Sequence, residues 1–233
     1  MALLAALIIS SVVVLTFLSV FLFIKKIETT QVLIKCTIWS KSYQVCTGST
    51  LVLPICHRAR FIDLETKKIV LERVEHESLR CKDGIRAEMK VEFVVRVHKT
   101  ERDILWVAEK LGCHNSFDNI AVENFLKNTF LDALKSVAAT VDFEDIRKNM
   151  VDFKERVLRR LGKNTAGRIE KTGEVVFEGY QVRDMLVIEF DMLDNVDAYN
   201  HENIDDVEGI RKITQITGEV KEAIKIRNFS KKF

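Results

Sequence analysis

The sequence predicts an α+β protein with an N-terminal transmembrane helix, a domain of mainly antiparallel sheet with packed helices, and a short C-terminal amphipathic helix. Three observations predict it. Ala2–Ile24 contains no charged residue. Residues 31–98 carry β-rich and period-two apolar patterns, and from Thr100 the apolar period becomes helical. Residues 207–224 then form one apolar stripe among Lys and Glu. The expected division is an anchor over 1–26, a folded domain over 27–198 and a C-terminal helix over 199–233, the start of a truncated coiled coil.

The leader, MALLAALIISSVVVLTFLSVFLFIKK, is long enough to span lipid. A bilayer core about 30 Å thick needs roughly 20 apolar residues at 1.5 Å each. A secretory signal has a basic start, a shorter apolar run and a small-residue cleavage site. Here Lys and Arg are missing before the run, and it ends on Phe21-Leu22-Phe23-Ile24. Lys25 and Lys26 follow at once and bias the bulk of the chain to the cytoplasmic side of a cell membrane, crossed once. Ile24, Lys25 and Lys26 are the expected membrane-interface residues. Lys35 joins them as a candidate contact to anionic lipid.

Composition narrows the function classes. Charged residues make up 30% of the chain yet the net charge is +2, so no global field favours nucleic acid. Arg156-Val-Leu-Arg-Arg160 reads as a solvated helix face. One Pro and nine Gly argue against a linker-rich chain. The five cysteines (36, 46, 56, 81 and 113) lack C-x-x-C pairs, so they predict free thiols in a reducing compartment. Cys56-His57 and Cys113-His114 are neighbours in sequence, and neighbours on a strand face opposite ways. No metal site and no cofactor are predicted.

Gln31–Trp39 is rich in β-branched residues and opens the sheet. Tyr43–Cys46 and Thr50–Leu53 flank the turn signal Thr47-Gly48-Ser49. Phe61–Leu64 and Lys68–Arg80 extend the strands. Ile85–His98 alternates most clearly, with Met89, Val91, Phe93, Val95 and Val97 on one face. Asp83-Gly84 before it supplies the positive φ of a tight hairpin joining about 68–81 to 85–98. Thr100 then caps a helix over Glu101–Leu111, stopped by Gly112. Helices follow over about Phe117–Ala139 and, capped by Asp142, over Phe143 to Leu161. Gly162–Gly173 reads as a loop, Glu174–Phe177 and Tyr180–Phe190 as strands, and Asp205–Asn228 as the last helix. Val207, Ile210, Ile213, Val220 and Ile224 on that helix are candidate oligomer contacts.

The recognised catalytic patterns are missing. Gly162-Lys163-Asn164-Thr165 fails as a phosphate loop because Val157 and Asn164 stand where Gly and Ser or Thr are required. His76-Glu77 and His201-Glu202 do not continue to H-E-x-x-H. His98 reads as a surface strand residue, and Asp205-Asp206 as acids favoured at a helix start. No catalytic residue is predicted.

Val74–Val97, VEHESLRCKDGIRAEMKVEFVVRV, resembles the SPFH or band 7 domain of stomatins, prohibitins and flotillins, and most of all bacterial flotillin-like proteins. Its motifs are Ser78-Leu79-Arg80, Lys82-Asp83-Gly84 and the strand at 91–97. Weaker likenesses lie at Thr50-Leu-Val-Leu-Pro54, at 131–139, and at Tyr199-Asn200 with Asp206-Val-Glu-Gly-Ile210. The resemblance implies a non-enzymatic scaffold that oligomerises at the bilayer and orders a lipid and protein microdomain. The implied partners are the lipid bilayer, further copies of the chain, other band 7 proteins and membrane proteases. Flotillin-like chains usually continue into a long coiled coil, whereas this sequence stops at Phe233. The alternative reading is a membrane-tethered adaptor or modulator that binds a longer homologue or a membrane protease.

Overall fold

The computed structural model describes residues 10–11, 14, 24–37, 43–53, 56–164, 167–193, 199 and 203–230, with the last turns of the final helix described as backbone only. These residues form two compact units. Most of the predicted leader lies outside the described residues. Among the described residues, no helix is long and apolar enough to cross a membrane.

The first unit comprises the chain up to Thr66 together with Arg96–Val122 and Glu178–Tyr180. Strand β1 (Ile24–Lys25) pairs antiparallel with β4 (Thr50–Leu51). A separate three-stranded antiparallel sheet runs β3 (Tyr43–Cys46), β2 (Gln31–Thr37), β5 (His57–Asp63). The turn at Thr47–Ser49 therefore carries the chain from one sheet to another. One sheet face closes on a small core of Ile27, Leu33 and Val52 with Cys46, Ala59 and Phe61. Helix α1 (Glu101–Lys110) belongs to the same unit. Thr100 caps it as expected, its hydroxyl accepting the Asp103 N–H, and Gly112 follows at φ 91°.

The second unit comprises Lys67–Val95, Glu123–Phe177 and the chain from Gln181. Its sheet order is β6 (Lys67–Arg73), β8 (Arg86–Val97), β11 (Tyr180–Met192), β10 (Val175–Phe177), β9 (Gly167–Ile169). Strict alternation buries Ala87, Met89, Val91, Phe93, Val95 and Val97 of β8 to 2% exposure or less. Helix α2 (Asn119–Ala138) lays Phe130 on this layer, with ring centroids 4.5 Å from Phe93 and 6.3 Å from Phe177. The polar face carries the cross-strand ion pairs Lys68–Glu92 (2.9 Å) and Lys90–Glu72 (3.5 Å).

Three predicted elements and one predicted cap are corrected. The expected strand 68–80 is two strands, β6 and β7 (Leu79–Arg80), both paired to β8. Between them a 3-10 turn, Glu75–Glu77, leaves the ladder, and Glu88 of β8 accepts the Glu75 N–H (2.7 Å). The expected helix 143–161 breaks at Asn149 into α3 (Phe143–Lys148) and α4 (Met150–Gly162), because Asn149 takes φ −126°, ψ 58°. Asp142 does not cap α3 with its side chain; Asp83 Oδ2 accepts the Phe143 N–H instead (3.2 Å). The expected loop 162–173 contains β9, paired antiparallel to β10. The Asp83-Gly84 turn, β8 and the last helix, α5 (Ile204–Ser230), stand where the pattern put them.

Candidate functional site

Residues that are far apart in sequence meet at the root of α5. Asp206, fully buried in the first turn, receives Arg80 Nη2 at 2.9 Å on one oxygen and Arg86 Nη2 at 2.9 Å on the other. Arg86 Nε adds a bond of 3.3 Å to Asp206 Oδ1. A buried carboxylate is tolerated when its lone pairs are filled this way, and planar guanidinium donors fill them with fixed geometry. Tyr199 closes the site: its hydroxyl accepts the Arg86 N–H (2.9 Å) and donates to Leu193 O (3.3 Å), and its ring lies 5.6 Å from the Arg86 guanidinium. Burial raises the Tyr199 pKa, with Arg86 pulling the other way.

Gly209 makes this seat possible. A Cβ there would lie 2.2 Å from Gly84 O, so only glycine lets the helix approach the hairpin turn this closely. One turn later Lys212 Nζ donates to Asp83 O (2.9 Å). The blocks that carried the family resemblance, at 78–84, 199 and 206–210, thus converge on one place. Arg86, Gly209 and Lys212 were not singled out from sequence for this role, although Gly209 lies within one of those blocks and Arg86 two residues beyond another.

The candidate oligomer contacts divide. Ile213 is buried, 3% exposed. Ile210 is half-buried and Val207 is exposed. The side chains of Val220 and Ile224 lie outside those described. Ile204 and Ile216 are exposed apolar residues on the same helix.

At the other end of the chain, the backbone of Ile24 and Lys25 is already in strand β1. Lys25 and Lys26 are exposed, and the Lys25 ammonium stands 5.9 Å from the centre of the Phe61 ring. Lys35 Nζ donates to Leu51 O (3.0 Å).

His98 is not the surface residue expected. Its Nδ1 lies 2.6 Å from the buried Asp103 carboxylate, and Thr100 Oγ1 is 3.4 Å from the same nitrogen. A nucleophile–base relay needs its two partners on opposite ring nitrogens. Here both face Nδ1, so the cluster secures the start of α1. Among the described residues, no group of three or more His, Cys, Asp or Glu is placed to hold a metal ion. The five cysteines are free thiols.

Residues 25–224 match the SPFH domain / Band 7 family, well over half of the chain, and the chain belongs to that family. It is similar to the flotillin family inner membrane protein YqiK of Escherichia coli, 28% identical over 177 residues, which are 74% of this chain and 29% of that protein. It is also similar to the flotillin family inner membrane protein sll1021 of Synechocystis sp., 21% identical over 168 residues, 72% of this chain and 23% of that protein. The chain spans less than a third of the length of these curated relatives.

Proposed function

We propose that the protein is a membrane-anchored, non-enzymatic scaffold that oligomerises at the bilayer and organises a patch of lipid and protein. The observation that carries this reading is the Arg80–Asp206–Arg86 seat, which holds the first turns of a long helix at a set angle. A helix fixed at its root presents Ile204, Val207 and Ile216 in the same direction from every copy. The leader supplies the second requirement. Anchoring in one plane raises the effective concentration of each copy toward its neighbours, so contacts too weak in solution form an array. Lys25 and Lys26 add about 1 kcal/mol each of attraction to anionic lipid. In this reading the leader crosses the cell membrane once and the domain lies on the cytoplasmic side.

The test is the size of the full-length protein in lipid nanodiscs or mild detergent. The scaffold reading expects a large homo-oligomer that shrinks when Val207 and Ile216 are both changed to Asp. One chain per micelle overturns it and favours the adaptor. Release from vesicles by alkaline carbonate would remove the anchor on which both readings depend.

A further inference from the structure

One face of the β3–β2–β5 sheet changes character along its length. At one end Val32 and Ile62 are cross-strand partners, exposed 1% and 0%. Two residues on, the same face pairs Ile34 with Arg60, and two further on Cys36 with Arg58. On the other side of β2 the partners are Val45 and Tyr43. The core therefore ends at Ile34, and beyond it the sheet and helix α1 part to leave a cleft of about 640 Å³. Ile34, Cys36 and Tyr43 line it from the sheet, and Leu105, Ala108 and Glu109 from the helix, with Cys113 beyond. Every one of these residues belongs to the first unit.

The cleft has an apolar body and a cationic side. Arg58 and Arg60 line it from alternate positions of β5, both exposed. Neither has a carboxylate partner among the described residues, whereas most arginines of the second unit do. The charge of Arg60 is felt inside: burial pushes the Cys113 thiol above its ordinary pKa, and Arg60 is the largest opposing influence. Glu109 alone of the lining residues is acidic. The volume is within the range of about 300–1,000 Å³ typical of small-molecule sites, which combine apolar walls with a few polar groups.

From this division of chemistry we propose that the cleft binds a single-chain anionic amphiphile, a long-chain fatty acid. The tail lies against Ile34, Leu105 and Ala108, and the carboxylate meets the guanidinium groups of Arg58 and Arg60. Guanidinium binds a carboxylate through paired, parallel N–H donors, and the low-dielectric walls strengthen that bond. No covalent step is involved. Binding itself does not depend on oligomerisation or on the anchor; only the supply of ligand from the bilayer does.

Cys36, inside the cleft, is a built-in reporter, and Cys46 and Cys56, outside it, are internal controls. The full-length protein is placed in phosphatidylcholine nanodiscs, and its modification by a maleimide is followed residue by residue by mass spectrometry. Palmitate at about ten times its Kd should slow the reaction of Cys36 about tenfold and leave Cys46 and Cys56 unchanged. Hexadecanol and hexadecyltrimethylammonium, with the same tail, should protect far less. In Arg58→Gln with Arg60→Gln the protection should vanish while the rate of Cys46, packed against the core of the same unit, stays unchanged, which reports an intact fold. Retention of radiolabelled palmitate gives a second readout and should be lost in Ala108→Trp, which fills the cleft. No protection by palmitate, equal protection by all three amphiphiles, or full protection in the double variant overturns the proposal, whatever the oligomer size.

Discussion

Asp206 and Arg86, 120 residues apart, share two hydrogen bonds of 2.9 and 3.3 Å, and Arg80 completes the pair from the other side. This is the tie between the sheet's hairpin and the C-terminal helix. Removing one partner of a buried ion pair costs more than the pair contributes, because the remaining charge is left without compensation. Asp206→Asn is therefore expected to destabilise the protein by about 3 kcal/mol. Urea unfolding measures the loss, and hydrogen exchange should localise it to the first turns of α5. Arg80→Met is expected to cost less, since Arg80 is the more exposed partner and Arg86 still serves the carboxylate. Equal costs would show that the seat is not arranged this way.

Two glycines on one helix should respond in opposite directions. An interior helical glycine normally gains about 0.5–1 kcal/mol on replacement by alanine. Gly218 has nothing within 4 Å of an added Cβ and should follow that rule. Gly209→Ala would place carbon 2.2 Å from Gly84 O and should destabilise instead. Thermal unfolding of the two variants side by side checks the sign.

The β10–β11 turn offers a stabilising change. Glu178 and Gly179 both have positive φ, 51° and 76°, the pattern of a type I′ turn. Glutamate is a poor occupant of that first position, and asparagine a good one. Glu178→Asn is expected to stabilise by up to about 1 kcal/mol. Burial, only partly offset by Lys110, also raises the Glu178 pKa. A raised carboxyl pKa contributes stability below the ordinary carboxylate range that is lost as pH rises through the folded value. The gain from Glu178→Asn should therefore be larger at neutral pH than at pH below that range, read from unfolding midpoints.

Cys81 reports on the alkaline side. Burial, then the carboxylates of Asp83 and Asp142, push its thiol up to about 12. A group raised in the folded state favours folding least where the unfolded thiol has already ionised. Its contribution is intact below about pH 9 and is lost as pH climbs toward about 12. Cys81→Ala should flatten the alkaline limb of the stability curve. In the native protein Cys81 should resist alkylation until global unfolding exposes it.

The strongest periodicities were legible in the sequence, and the interruptions were not. β8 was visible because alternate residues from Met89 to Val97 are all buried. The turn at Asp83-Gly84 was visible because few residues adopt positive φ. The detour at Glu75–Glu77 was hidden: its residues are compatible with a strand, and the bond that accompanies it comes from Glu88, on another strand. The break at Asn149 was hidden because Ile146, Met150 and Phe153 keep helical spacing across it. At the candidate site the motif blocks were legible one at a time. Their meeting was not, since Arg80, Arg86 and Asp206 are joined by tertiary geometry alone. The stripe on the last helix announces that its apolar residues must be covered, but not by what.

Asp83 has a mechanical consequence. One carboxylate oxygen accepts the Ile85 N–H, the other starts α3 through the Phe143 N–H, and the main-chain oxygen holds Lys212. Traction carried by Lys212 is therefore passed to a single residue, and from there divides between a strand and a helix. Strain arriving from outside would be shared at that junction before any one segment had to yield.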